Sequence, residues 1–132
     1  MERQTKKRLL RSYTRLLARI KTLHDDYEVA YTNATKMSPS MSGMPSSNVR
    51  ENKLEKGAEK LAELDERIKK AEAKKAFIES EIRKLKPHQR ALIAAVDLQL
   101  RPIPAVAHEM GVSEKAIRKA RNRIIDKMFL QV

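Results

Sequence analysis

Apolar residues recur every three or four positions through most of the first 32 residues. The main stripe consists of Leu9, Tyr13, Leu16, Ile20, Leu23, Tyr27 and Ala30, and a parallel row contains Leu10, Leu17 and Tyr31. This period is that of an amphipathic helix, and the stripe is wider than the seam of a simple coiled coil. The pattern therefore predicts one long basic amphipathic helix over residues 1–36.

A second stripe of similar period runs from residue 54 to residue 85. Its members are Leu54, Ala58, Leu61, Leu64, Ile68, Ala71, Ile78, Ile82 and Leu85. Pro87 follows, and proline is excluded from a helix interior but suits the first turn of a new helix. We therefore expect a second long helix over residues 49–86 and a new helix after it.

The two stripes are separated by residues 37–48, which are dense in Met, Ser and Pro. Such a composition disfavours a helix and predicts a flexible linker. Two long amphipathic helices with a flexible connection fold back most economically as an antiparallel hairpin. Two interpretations of this coiled-coil-like hairpin remain open. It is either a spacer with a solvated, charged outer face, or a surface that also pairs with a second copy to give a homodimer.

Residues 103–121 contain the combination of residues that a helix-turn-helix requires. Ala107 is small enough for a second helix to cross it, Gly111 tolerates the positive φ of a tight turn, and Ser113 is a preferred N-cap. The residues expected to point inward are Val106, Met110, Val112, Ile117 and Ala120. The sequence thus predicts an all-α protein, a long antiparallel helical hairpin followed by a small C-terminal helix-turn-helix domain at residues 87–132.

The charge of the chain indicates a polyanionic partner. Lys and Arg number 29 against 17 Asp and Glu, and the formal net charge is +12. That charge divides into +5 over residues 1–36, +3 over 49–86 and +4 over 87–132. Aromatic residues make up only 4%, which argues against the stacking platforms of single-strand binders. The charge alone suits nucleic acid or an anionic membrane surface. Together with the helix-turn-helix pattern, it makes double-stranded DNA the expected partner. The basic run at the N-terminus is either a solvated face or a supplementary phosphate contact.

The second helix of the motif supplies the candidate DNA-binding residues, because the early residues of a recognition helix reach base edges. These candidates are Glu114, Lys115, Arg118, Lys119, Arg121 and Asn122, on the face expected to point outward from the Ser113 cap. Arg118 is the best candidate for a bidentate contact to guanine, and Glu114 could accept a hydrogen bond from a cytosine amine.

The segment from Leu85 to Ile93 and the motif that follows resemble region 4 of bacterial sigma factors, which reads the promoter −35 element. The whole chain resembles the phage transcriptional regulators of the RinA/ArpU type, and the linker from Ala34 to Pro45 resembles their Ser-Pro-Ser and Ser-Gly-Met-Pro signature. The resemblance implies a phage or prophage regulator of transcription with −35-reading positions at Glu114, Lys115, Arg118 and Lys119. It also implies RNA polymerase as a further partner.

Little in the sequence supports catalysis or a cofactor. His24, His88 and His108 lie in different segments without metal-ligand spacing, and there is no Cys. No apolar run approaches the length of a membrane span. We therefore expect a non-enzymatic cytoplasmic protein that takes no cofactor or metal and contacts no membrane. The resemblance to phage regulators implies that this cytoplasm is that of a bacterial host cell. The alternative function is DNA recognition in a small-terminase-like packaging subunit; a nucleoid-type or RNA-binding protein is a more distant alternative.

Overall fold

The computed structural model describes residues 1–35 and 47–130, with side chains for 1–35 and 54–130. All of the elements in these ranges are helical, so the all-α prediction is confirmed. They are α1 (Arg3–Arg11), α2 (Tyr13–Thr35), α3 (Ser47–Arg83), α4 (Pro87–Ile93), a π-helical segment (Ala94–Leu98), α5 (Ile103–Met110) and α6 (Glu114–Asp126).

The single helix predicted over residues 1–36 is wrong in one respect, because it is interrupted at Ser12. The Ser12 hydroxyl donates a hydrogen bond to the carbonyl oxygen of Leu9 at 2.7 Å, and Ser12 separates α1 from α2. Serine hydroxyls compete in this way with the backbone hydrogen bonds of a helix. The apolar stripe continues through the break, which is why the periodicity alone did not indicate it.

The second long helix begins at Ser47 and ends at Arg83, slightly earlier at both ends than predicted. Of the predicted linker, residues 37–46 lie outside the described residues, and residues 47–48 belong to α3. Helix α4 begins at Pro87, and the backbone N–H of Lys86 donates to Oε1 of Gln89 at 3.1 Å. That side-chain contact satisfies one backbone donor ahead of the first turn of α4.

Contact density divides the chain into two compact units, of which one comprises Ala18–Ala73. The buried residues among its described side chains are Ile20, Leu23, Leu64, Ile68 and Ala71. His24 Nε2 lies 3.4 Å from Glu72 Oε1, and a Cβ built on Gly57 would lie 3.5 Å from the Cβ of Ala34. These contacts follow opposite orders along α2 and α3, as in an antiparallel pair. The complete hairpin and its pairing with a second copy stay predictions.

The other unit comprises Met1–Leu17 and Lys74–Val132. Its largest fully buried apolar side chains are Leu10, Ile78, Ile93, Val106, Ile125 and Met128. Phe77 and Phe129 stack with ring centroids 5.3 Å apart and an interplanar angle of 11°. The C-terminal helices therefore share their core with α1 and the end of α3. A segment as short as residues 87–132 buries little apolar surface by itself, and these additions enlarge its core.

Candidate nucleic-acid interface

The connection between α5 and α6 is a tight turn built on Gly111 and Ser113. Gly111 has φ 69° and ψ 32°, in the left-handed region that favours glycine. The backbone N–H of Val112 donates to the carbonyl of Ala107 at 3.0 Å and closes α5. Ser113 Oγ accepts a hydrogen bond from the backbone N–H of Ala116 at 3.1 Å, so Ser113 caps α6. The two local signals in the sequence thus mark the end of one helix and the start of the next.

Helix α6 has one buried face and one polar, mostly exposed face. The buried residues are Ile117, Arg121, Ile124 and Ile125, at the i, i+4, i+7 and i+8 positions of one stripe. The other face contains exposed Lys115, Arg118 and Lys119, together with half-buried Asn122. Glu114 is also exposed, in the first turn. Of the six predicted DNA-binding residues, five therefore keep some access to solvent.

Arg121 is the exception, and its predicted outward position is wrong. Its side chain is only 5% exposed, and that of Asp97 is completely buried. Arg121 Nε donates to the two carboxylate oxygens of Asp97 at 3.2 and 3.0 Å, and its Nη2 also donates to Oδ1. Its position four residues after Ile117 assigns it to the core face. That spacing was visible in the sequence, but the run of basic residues around it obscured the signal.

The exposed cations of α6 are not neutralised by neighbouring carboxylates. Among the side chains that the structure describes, Lys115, Arg118 and Lys119 form no ion pair within 4.0 Å. Besides Glu114, the only acidic residue of α6 is Asp126, which binds Arg3 of α1 at 2.7 Å. The exposed face of α6 therefore carries an uncompensated positive charge in its first two turns.

Two residues expected in the core, Met110 and Val112, are instead 47% and 46% exposed. They border an open groove of about 380 Å³ between α4 and α6, with Leu92, Ile117 and Ile124 among its lining residues. Met110 is the last residue of α5 and Val112 lies in the turn, so neither is covered by a neighbouring helix. Val106 and Ile117 are buried as expected, and Ala120 is half-buried.

The described residues hold neither a metal-binding cluster nor a membrane-spanning helix. Over residues 1–35 and 54–130, no group of three or more His, Cys, Asp or Glu side chains could hold a metal ion. In the same ranges, no helix has both the length and the apolar character that a membrane crossing requires.

Comparison of the chain with family models, curated proteins and solved structures finds no match in any of the three. The resemblance to sigma region 4 and to the RinA/ArpU regulators therefore stays a prediction.

Proposed function

We propose that this protein binds double-stranded DNA sequence-specifically, with α6 in the major groove, and acts as a phage or prophage regulator of transcription. The observation that supports DNA binding most strongly is the exposed face of α6, where Lys115, Arg118 and Lys119 lie together without carboxylate partners. The early residues of such a helix reach base edges in helix-turn-helix proteins. The assignment to transcription rests on the sequence resemblance.

The opposite side of α6 supports the proposal because it fixes the orientation of the helix. Ile117, Ile124 and Ile125 are buried, and Arg121 is held by Asp97 in the π-helical segment. A recognition helix needs such support, since its side chains must keep one orientation relative to the base pairs. Arg118 can then present its guanidinium to the O6 and N7 acceptors of a guanine, and Glu114 can accept from a cytosine amine.

The decisive experiment selects a duplex from a random library and compares its affinity with that of a scrambled duplex. Arg118→Ala is expected to cost about 1–3 kcal/mol on the selected duplex, which corresponds to about 5- to 150-fold weaker binding. It should also relax the preference at one base pair. Its effect on the scrambled duplex should be much smaller, because non-specific binding depends on phosphate contacts rather than on base contacts.

Arg123→Ala is the matched control, since it removes the same charged group from the same helix. Arg123 is exposed and lines the groove beside Met110 and Val112. It lies five residues after Arg118, which is about 140° around the helix at 3.6 residues per turn. Its loss should change the affinity for both duplexes by the same factor. If Arg118→Ala weakens both duplexes equally, α6 does not read sequence. If the wild-type chain shows no preference for any duplex, the proposal of sequence-specific binding is wrong.

A further inference from the structure

Helix α1 is attached to α6 near its C-terminal end. The Arg3 guanidinium donates two hydrogen bonds to the carboxylate of Asp126, at 2.8 and 2.7 Å. Lys6 Nζ donates to the backbone carbonyl oxygen of Asp126 at 3.1 Å, and its side chain is buried. Both contacts hold the beginning of α1 against the last turn of α6.

The other end of α1 approaches the buried ion pair that anchors the middle of α6. Arg11 Nε lies 4.0 Å from Oδ1 of Asp97, the same carboxylate that accepts hydrogen bonds from Arg121. Asp97 therefore has one cation from α1 and one from α6. With Asp126 at one end and Asp97 at the other, α1 is fixed beside α6 rather than acting as an independent basic arm.

Arg3, Lys7 and Arg11 follow one another at intervals of four residues and therefore lie on one face of α1. We call this face the α1 basic stripe. Arg3 and Arg11 each have a carboxylate nearby, but Lys7 forms no ion pair with any described side chain. Partial burial lowers the pKa of Lys7, and the charges of Arg121, Arg3 and Arg11 lower it further, against an opposing effect of Asp97. Lys7 is thus a half-buried cation whose charged neighbours are mostly cations as well.

The charged side chains between α1, α6 and the π-helical segment form a cluster with an excess of positive charge. Its cations are Arg3, Lys6, Lys7, Arg11 and Arg121, and its carboxylates are Asp97 and Asp126. Three positive charges are therefore left without a counterpart inside the cluster. An anion beside Lys7 would relieve the repulsion among these groups, and a backbone phosphate offers the oxygen acceptors that ammonium and guanidinium groups bind.

We propose that the α1 basic stripe, centred on Lys7, binds a backbone phosphate of the duplex whose major groove receives α6. This inference rests on the proposed function, because it assumes that α6 binds duplex DNA. The two helices are fixed side by side, so one rigid unit would contact base edges through α6 and the adjacent sugar–phosphate backbone through α1. The contact contributes affinity and register without reading sequence.

The test measures how affinity for the selected duplex depends on salt concentration. Each phosphate contact contributes about 0.9 to the negative slope of log K against log salt, because binding releases condensed counterions. Lys7→Ala is therefore expected to make the slope shallower by about 0.9. It should also weaken the selected and scrambled duplexes by the same factor, unlike Arg118→Ala. Lys7→Arg keeps the charge and should keep the wild-type slope.

Lys21→Ala is the control, because Lys21 is an exposed cation of α2 in the other compact unit. It removes the same charge from the chain and should leave the slope unchanged. Replacing single phosphates with neutral methylphosphonates then locates the contact. One position should weaken wild-type binding and have no further effect on Lys7→Ala.

The possible outcomes separate the two proposals. If the wild-type chain binds the duplex and Lys7→Ala keeps the wild-type slope, the α1 basic stripe is not a phosphate site and only this inference is wrong. If the slope becomes equally shallower in Lys7→Ala and Lys21→Ala, the effect belongs to the net charge of the chain, and the inference is again wrong. If the wild-type chain binds no duplex, the proposed function and this inference are both wrong.

Discussion

Breaking the ion pair between Asp97 and Arg121 should destabilise the protein more than a typical single substitution. Asp97 is completely buried and Arg121 is 5% exposed, so removing one partner leaves the other charge in a poorly solvated site. Such a loss costs about 3–5 kcal/mol in the free energy of unfolding. That is a large part of the roughly 5–15 kcal/mol that stabilises a typical domain. Asp97→Asn should therefore lower stability by about 3–5 kcal/mol.

Replacing Arg121 instead should lower the free energy of unfolding less, because the two partners have different surroundings. If Arg121 becomes Gln, Asp97 still has the guanidinium of Arg11 4.0 Å away, and Arg11 is exposed enough to move closer. If Asp97 becomes Asn, the buried guanidinium of Arg121 has no carboxylate and remains near Lys7, whose pKa is lowered in part by the charge of Arg121. We therefore expect Asp97→Asn to be the more damaging of the two single substitutions.

Urea unfolding followed by circular dichroism measures both effects, with the free energy taken from the midpoint and the slope. The double variant Asp97→Leu/Arg121→Met removes both charges and should be much less destabilised than Asp97→Asn, because an apolar pair of similar volume can replace a buried ion pair. A loss below about 1 kcal/mol for Asp97→Asn would contradict the reasoning, since that is the effect of an average substitution. A double-mutant cycle without coupling between the two residues would also contradict it.

Three smaller predictions concern the helix ends and the contact between α1 and α6. Gly111→Ala should lower the free energy of unfolding by about 1–2 kcal/mol through its φ of 69° alone, since a Cβ there would meet no atom within 4 Å. Leu100 has φ 54° and is 55% exposed. Glycine lacks the Cβ that makes a positive φ unfavourable, so Leu100→Gly should raise the free energy of unfolding by about 0.5 kcal/mol, measured by the same urea unfolding. The hydrogen bond from Arg3 lowers the pKa of Asp126 below its ordinary value of 3.8. The contact therefore stabilises the fold at pH values above 3.8, and this stabilisation is lost as the pH falls through the lowered pKa. An NMR titration of the Asp126 carboxyl should show its midpoint rising towards 3.8 in Arg3→Gln, and an unchanged midpoint would mean that the contact is absent in solution.

The sequence predicted best those features that depend on one residue and its immediate neighbours. The left-handed turn at Gly111, the hydrogen-bonding cap at Ser113 and the helix start at Pro87 each follow from the backbone chemistry of a single residue type. The break at Ser12 is also local, but serine is common inside helices and the apolar stripe crosses it without interruption. Its hydroxyl contact with Leu9 therefore had no distinct signature.

Features that depend on distant partners were not predictable in the same way. The contact between α1 and α6 pairs Arg3 with Asp126, which is 123 residues away in the sequence. Both residues are of types that are normally solvated. Asp97 is the clearest case, because a carboxylate in the middle of a helical segment is normally expected on the surface. Its burial depends on Arg121, which is 24 residues away in another helix.

The position of Arg121 narrows the set of residues proposed to read DNA. Lys115, Arg118, Lys119 and Arg121 are equivalent by charge, so composition cannot rank them. Helical spacing can, because Arg121 falls on the stripe of Ile117 while Lys115, Arg118 and Lys119 fall on another face. Arg121 is thereby an anchor that fixes how α6 is rotated about its own axis. Since its partner Asp97 also lies 4.0 Å from Arg11, the same carboxylate helps to hold the α1 basic stripe. Under the proposed function, loss of Asp97 should therefore weaken the contacts to bases and to phosphates together. Loss of Arg118 should weaken only the base contacts, and loss of Lys7 only the phosphate contact.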